Sequence, residues 1–178
     1  KDFGSGDRIC YHGVLDAFRN PKLAAAVYAS QQEKRPVLVV GSTMDIGDYA
    51  ASNIGEVSVF SNADEVALYK NGLFISKLSR DDYPALSHPP LVLDDVIGDQ
   101  LETQEGFEKP KAELIKKSLQ AAAKYGLAGM PKREMLRMGY AMMRYKMTYQ
   151  DGVDLYGKYV GNWGGSATVW RFDAVKDG

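Results

Sequence analysis

The sequence predicts an α+β fold in which a small antiparallel β-sandwich is interrupted by a block of helices. Short runs with strand-type alternation and turn residues between them fill residues 36–100 and return at 164–178, whereas helical spacing dominates residues 101–163. Several short strands joined by turns are typical of a sandwich rather than of a parallel sheet. We therefore predict that the helices are an insertion between two strands of one sandwich.

One helix is predicted ahead of the sandwich, in an N-terminal unit that spans residues 1–35. The stretch LDAFRNPKLAAAVYASQ at 15–31 places Asn20 at the N-cap and Pro21 at the first helical position, and its body is rich in alanine. Helices of this length are stabilised mainly by packing. We expect this one to pack on the chain's own sandwich or on a neighbouring copy.

The strand signals lie on five stretches. Asn71-Gly72 separates two alternating runs and predicts a two-residue hairpin turn, because both residues accept positive φ. The stretches are PVLVVG from residue 36, EVSVFSN from 56, DEVALYKNGLFISKL from 64, PPLVLDDV from 89 and SATVWRFDAV from 166.

Three helices are predicted within the insertion. EKPKAELIKKSLQAAAKYG has Pro110 near its start and Gly126 at its end, MPKREMLRMGYAMMRYKM starts after Pro131, and YQDGVDLYGKYV gives a weaker helical signal. Four methionines follow the body of the second helix, and we interpret them as core packing rather than as a docking groove. They are Met135, Met138, Met142 and Met143.

Composition excludes several classes of partner. The 22 basic and 23 acidic residues among 178 give a net charge of -1, so no global field favours nucleic acid or an anionic membrane. No apolar run approaches the roughly 20 residues that span a bilayer. The glycine-rich FGSGD lacks the strand and the Lys-Ser/Thr pair of a phosphate loop, and we predict no cofactor.

The cysteine and the two histidines give no strong site. Cys10 is the only cysteine, which excludes an internal disulfide and a thiolate zinc cage. Cys10 and His12 could share a strand face, but no oxyanion donor or orienting acid accompanies them. His88 is interpreted as a loop residue before Pro89. No metal site is predicted, because neither histidine has an acid at ligand spacing.

Paired carboxylates occur at Asp81-Asp82 and at Asp94-Asp95. Neighbours in an extended segment point to opposite faces and cannot clamp one bond. We therefore interpret these pairs as a solvated turn and a solvated strand end, and we assign no catalytic residue.

Trp163 is the candidate carbohydrate-binding residue. It lies in GNWGG, where glycines leave the indole exposed unless something packs on it, and exposed aromatic faces commonly grip sugar rings. The favoured interpretation is that Trp163 and Trp170 instead fill the seam between the insertion and the sandwich.

Two blocks resemble glycoside hydrolase family 2, the family of bacterial β-galactosidases and β-glucuronidases. GDRICYHGVLDAFRNPKLAAAVYASQ at 6–31 resembles the closing segment of the catalytic (β/α)8 barrel, and VSVFSNADEVALYKNGLFISKL at 57–78 is similar to the immunoglobulin-like sandwich that follows it. The resemblance implies that the helix from Pro21 is the last helix of the barrel's outer ring. Residues 101–163 depart from the family pattern, so the resemblance implies no role for them.

The resemblance implies a non-catalytic part of a retaining β-glycosidase that supports the catalytic barrel, while the whole enzyme cleaves terminal β-linked sugars. In the family both catalytic glutamates lie on barrel strands upstream of the matched segments, so no catalytic role is carried over. The missing barrel, the carbohydrate substrate of the whole enzyme and a second copy bound through the N-terminal helix are the expected partners. The alternative is a carbohydrate-binding, adhesion or assembly sandwich without catalysis. The opening without Met and the closing turn pair Asp177-Gly178 suggest an excised piece.

Overall fold

The computed structural model describes residues 13–16, 18–44, 54–161 and 168–177. The first helix, α1, spans Leu23–Ala29. Six strands follow: β1 (Leu38–Val40), β2 (Val57–Ser61), β3 (Glu65–Lys70), β4 (Leu73–Lys77), β5 (Ser79–Arg80) and β6 (Leu91–Leu93). The helices α2 (Gln100–Thr103), α3 (Lys109–Gly129), α4 (Lys132–Arg144) and α5 (Tyr149–Tyr156) come next, then a π-helical turn (Gly157–Gly161) and β7 (Trp170–Val175).

The strands form two antiparallel sheets. One has the order β1-β2-β6-β5 and the other β4-β3-β7. Alternate side chains of these strands meet in the sandwich core, formed by Val57, Val59, Ala63, Val66, Leu68, Ile75, Leu91 and Leu93. The predicted α+β class is confirmed: the sheets are antiparallel, and the block of helices lies in the chain between β6 and β7.

The predicted hairpin turn is confirmed. Asn71 has φ 50° and Gly72 has φ 81°, and Lys70 pairs with Leu73 directly across the turn. Both turn residues therefore have the positive φ that a two-residue hairpin of the primed type needs.

The first helix starts later than predicted. α1 begins at Leu23, and the residue before it is Lys22 instead of Asn20. The carboxylate of Asp16 explains the shift, because it accepts hydrogen bonds from Asn20 N at 2.8 Å and from Asn20 Nδ2 at 3.0 Å. These bonds hold Asn20 in a turn that precedes the helix.

α1 lies against its own sandwich. Ala26 is buried, and a Cβ placed on Gly41 would lie 3.6 Å from Leu23 Cδ2 and 3.6 Å from the ring of Phe60. The helix thus rests beside Gly41 and β2 on one side only. Leu23 and Tyr28 stay largely exposed, so docking on the chain's own sandwich accounts for only part of its apolar surface, and docking on a second copy stays a prediction. The origin of α1 in a barrel, and the division of the chain at residues 35, 100 and 163, stay predictions.

The insertion has a core of its own, formed by Ile97, Leu101, Ala112, Ile115, Leu119, Leu155, Tyr159 and Val160. Val96 packs against both this core and the sandwich core. The helical backbone of α3 breaks at Gly126, as predicted, where φ is 64° and ψ is 165°, and a second short helical stretch continues from there to Gly129. No helix in the described part of the chain is long and apolar enough to cross a membrane.

The interpretation of all four α4 methionines as core packing is wrong for two of them. Met138 and Met142 are partly buried, but Met135 and Met143 are exposed. α4 carries apolar residues on more than one face, since Leu136 and Tyr140 are exposed as well. Only one of these faces can be turned toward α3 and α5.

Candidate functional site: the clasp between the N-terminal segment and the sandwich

Asn62, directly after β2, holds the segment that follows α1. Its side chain is 1% exposed, and its Oδ1 accepts from Val37 N at 2.8 Å. Its Nδ2 donates to the carbonyl oxygens of Gln32 at 2.5 Å and Arg35 at 2.7 Å. Burial of this amide is tolerated because both its donor and its acceptor are satisfied. The neighbouring Ser61 Oγ donates to Val37 O at 2.7 Å.

Gln31 fixes the end of α1 to the loop before β6. Its Nε2 donates to His88 O at 2.7 Å, while its Oε1 accepts from His88 N at 3.0 Å. This pair closes a ring of two hydrogen bonds between residues 57 positions apart in the chain. We call Gln31, Ser61, Asn62 and His88 the clasp, since together they hold residues 31–37 on the sandwich.

Glu33 adds ion pairs to the clasp. One carboxylate oxygen accepts from Lys176 Nζ at 2.6 Å, and the other pairs with His88 Nε2. The hydrogen bond from Lys176, and then that from His88, hold the pKa of Glu33 below its ordinary value. The same Glu33 contact raises the pKa of Lys176. Lys176 also donates to Asn62 O at 3.1 Å, so the last residues of the sandwich join the clasp.

Arg80 satisfies backbone carbonyls behind the clasp. Its guanidinium donates to Ser61 O at 3.2 Å, to Pro89 O at 2.9 Å and to Ala63 O. Its charge therefore serves to position β2 and the loop before β6. The two-residue strand β5 that carries Arg80 was not predicted, because two residues are too few to show a period.

Asp95 joins the sandwich to the insertion. Its Oδ1 accepts from Ile97 N and Gly98 N, each at 3.0 Å, and its Oδ2 pairs with Lys116 of α3. Lys116 Nζ also donates to Gly98 O at 2.9 Å. The interpretation of Asp95 as a solvated strand end is therefore wrong: an acid that accepts backbone N–H bonds and pairs with a lysine is a structural joint.

Asp81, Asp82 and Asp94 are exposed, in keeping with solvated turns. His88 is a loop residue as expected, and it also belongs to the clasp. Trp170 packs against the sandwich core.

Trp163, Cys10 and His12 lie outside the described residues, so the carbohydrate-binding role of Trp163 stays a prediction. Within the described ranges, no three His, Cys, Asp or Glu side chains come together to hold a metal ion.

The clasp has a structural role, because it connects the N-terminal segment to the sandwich. Its side chains bond to one another and to backbone groups. The four clasp residues reach partners 24 to 57 residues away in the chain, and Lys176 lies 114 residues from Asn62 and 143 from Glu33. In the sequence, Ser61 and Asn62 are simply the last two residues of the predicted strand EVSVFSN. An Asn after a strand often forms a local turn, and nothing local distinguishes such a residue from one that binds a distant segment.

Part of the chain is similar to two β-galactosidases. The chain is 45% identical over 93 residues to a β-galactosidase of Thermoanaerobacter pseudethanolicus, an alignment that covers 49% of this chain and 12% of that protein. It is 40% identical over 99 residues to a β-galactosidase of Thermoanaerobacterium thermosulfurigenes, covering 53% of this chain and 14% of that protein. No family model matches the chain.

The chain is thus related to β-galactosidases over about half of its length, and it aligns with less than one sixth of theirs.

Proposed function

We propose that this chain is a non-catalytic accessory part of a retaining β-glycosidase of glycoside hydrolase family 2. The longer enzyme that contains it, here called the parent enzyme, would hydrolyse terminal β-linked galactosides. The identities of 45% and 40% to two β-galactosidases support this proposal, because the matched segments make up only 12% and 14% of those proteins.

The observation that carries the proposal is the clasp together with the exposed surface that it orients. Phe18 is 87% exposed and Tyr28 is 72% exposed. Tyr28 lies on α1 and Phe18 in the turn before it, and both precede residues 31–37, which the clasp holds on the sandwich. Full burial of one large apolar side chain contributes roughly 1.5–3 kcal/mol. A surface of this kind is suited to pack on the catalytic barrel.

Two carboxylates of the described residues, those of Asp95 and Glu33, have structural partners. A retaining glycosidase needs two carboxyl groups about 5 Å apart, one as acid and one as nucleophile. Asp95 is engaged by Lys116, and Glu33 is engaged by Lys176 and His88. These contacts tie the acids to structural lysines and a histidine rather than aiming them together at a substrate.

Substitutions on the exposed surface test the proposal in the parent enzyme. Phe18→Asp should lower the temperature of half-inactivation and leave KM for nitrophenyl β-galactoside unchanged, because the side chain supports the barrel without touching substrate. Tyr83→Asp is the matched control, since Tyr83 is also an exposed aromatic residue but lies in the loop before β6. Equal effects of the two variants would refute the assignment of the surface.

The isolated chain provides a second test. Incubated with nitrophenyl β-galactoside, glucuronide and mannoside, it should show no turnover. Activity that copurifies with the protein and disappears in Asp81→Asn, Asp82→Asn, Asp94→Asn or Asp95→Asn variants would overturn the accessory role.

A further inference from the structure

The helical insertion forms a partly open cavity between α3, α4 and α5. Its volume is about 540 Å³, and its wall includes Leu119, Leu127, Met138, Met142 and Val153. Small-molecule sites commonly have volumes of roughly 300–1,000 Å³. No described residue that lines the cavity carries a charge. The described part of the wall therefore offers apolar contact and no charge that could neutralise an ion.

At two positions of the wall, neither the backbone conformation nor close packing requires a glycine. Gly152 lies within α5 and Gly157 opens the π-helical turn, and neither has positive φ. A Cβ built on either would meet no atom within 4 Å, so close packing does not require glycine. Glycine inside a helix costs roughly 1 kcal/mol relative to alanine. Both glycines line the cavity, and Gly152 is partly buried, so a larger side chain at Gly152 would take up space beside the cavity wall.

The remaining wall can adapt its shape. Met138, Met142 and Met147 contribute flexible thioether side chains, which fit irregular apolar surfaces. Gly157 and Gly161 belong to the π-helical turn, a form of helix that occurs frequently at functional sites. Tyr149 also lines the cavity and is exposed.

We propose that this cavity is a binding site for a small, uncharged and mainly apolar molecule. A charged guest would lose its hydration without gaining a counter-charge. The volume fits a small molecule, whereas a partner helix would need an extended groove. The site belongs to the insertion, and it is independent of the catalytic chemistry proposed for the parent enzyme.

The probe for the test is N-phenyl-1-naphthylamine, a neutral aromatic amine that fluoresces in apolar surroundings. Titrated into the whole chain, it should give saturable binding at one site. Gly152→Leu should weaken that binding roughly tenfold or more, which corresponds to about 1.4 kcal/mol, because the new side chain occupies the cavity. Its melting temperature should not fall, since leucine favours helix and replaces an unexplained glycine.

Gly139→Leu is the matched control. Gly139 is also a helix-interior glycine with no atom within 4 Å of an added Cβ, but it does not line the cavity. The affinity of Gly139→Leu for the probe should equal that of the wild type. Gly152→Ala, a smaller change, should weaken binding less than Gly152→Leu and serves if the leucine variant does not fold.

Several results would overturn the proposal. These are the absence of saturable binding to the wild type, the same loss of affinity in Gly139→Leu as in Gly152→Leu, and unchanged binding in Gly152→Leu. The anionic analogue 8-anilinonaphthalene-1-sulfonate should bind at least several-fold more weakly, and equal affinity would contradict the uncharged class. Binding that appears only as the protein dimerises in sedimentation would assign the cavity to a subunit interface instead.

Discussion

Lys70 Nζ lies 3.2 Å from the carbonyl oxygen of Tyr159, and this hydrogen bond joins β3 of the sandwich to the π-helical turn of the insertion. Lys70 is only 5% exposed, and its ammonium lies 5.3 Å from the centre of the Trp170 ring. Burial lowers the pKa of Lys70 from its ordinary 10.5 to about 8. A cation therefore lies at the junction of the two hydrophobic cores.

This lysine makes stability depend on pH in the alkaline range. Between about pH 8 and 10.5 the unfolded chain keeps the Lys70 proton while the folded chain loses it, so the free energy of unfolding rises with pH. The free energy of unfolding of the wild type, relative to that of Lys70→Met, should therefore rise by up to about 3 kcal/mol across this interval. Urea denaturation of both proteins at several pH values gives the difference.

Subtracting the free energy of unfolding of Lys70→Met from that of the wild type at each pH cancels the titration of all groups that the two proteins share. Lys77→Met, which removes an exposed lysine from the neighbouring strand β4, controls for the loss of one positive charge. A difference curve that stays flat between pH 8 and 10.5 would contradict a buried, weakly basic Lys70.

Gly98 is where the chain leaves the sandwich for the insertion, and it should tolerate no side chain. Its φ is 59°, and an added Cβ would lie 2.5 Å from the carbonyl oxygen of Ile75 in β4. Gly98→Ala combines backbone strain with overlap against backbone, and each costs roughly 1–3 kcal/mol. Chemical denaturation should show a loss of about 2–5 kcal/mol.

Gly106 separates the two causes. It has φ 64°, but an added Cβ there meets nothing within 4 Å. Gly106→Ala should thus cost only the backbone strain, about 1–2 kcal/mol. Equal losses in the two variants would mean that the contact with Ile75 is unimportant.

Local chemistry made the regular elements predictable. Asn71-Gly72 specifies its turn through the two residues themselves, and the periodic apolar residues around Leu114 and Leu119 specify α3 without reference to the rest of the chain. The start of α1 was misplaced because two local signals compete there. Asn20 is a good N-cap residue, but Asp16 accepts from both its backbone and its side chain.

The candidate site was less predictable because it depends on distant pairs. Asn62 contacts segments that lie 25 to 30 residues before it, and Asp95 meets Lys116 across 21 residues. No periodicity or turn rule connects such positions. Burial also depends on distant parts of the chain. α4 has apolar residues on several of its faces, and only its packing in the folded chain determines which face is buried.

Asn62 should be the most sensitive residue of the clasp. Asn62→Ala removes the partner of Val37 N and of two backbone carbonyls, and groups left without partners cost roughly 1–3 kcal/mol each when water cannot reach them. We expect a loss of at least about 2 kcal/mol in the free energy of unfolding, measured by urea denaturation. Gln150→Ala, which breaks one exposed hydrogen bond to Asp154 within α5, should change stability by less than about 0.5 kcal/mol.

Glu33 should make the clasp sensitive to acid. Its pKa is held below the ordinary 4.5 by the hydrogen bonds from Lys176 and His88, so its contribution to stability is complete above that value and is lost as the pH falls through the folded-state pKa. Glu33→Gln should therefore lower the melting temperature at about pH 7, and the difference from the wild type should shrink steadily below about pH 4.5. Lys176→Met removes the other partner and should reproduce this pattern, because the same ion pair is lost.

Glu113→Gln, which changes an exposed glutamate of α3, controls for the loss of a negative charge. If the melting difference between wild type and Glu33→Gln were the same at about pH 3 as at about pH 7, Glu33 would not be stabilised by these cations.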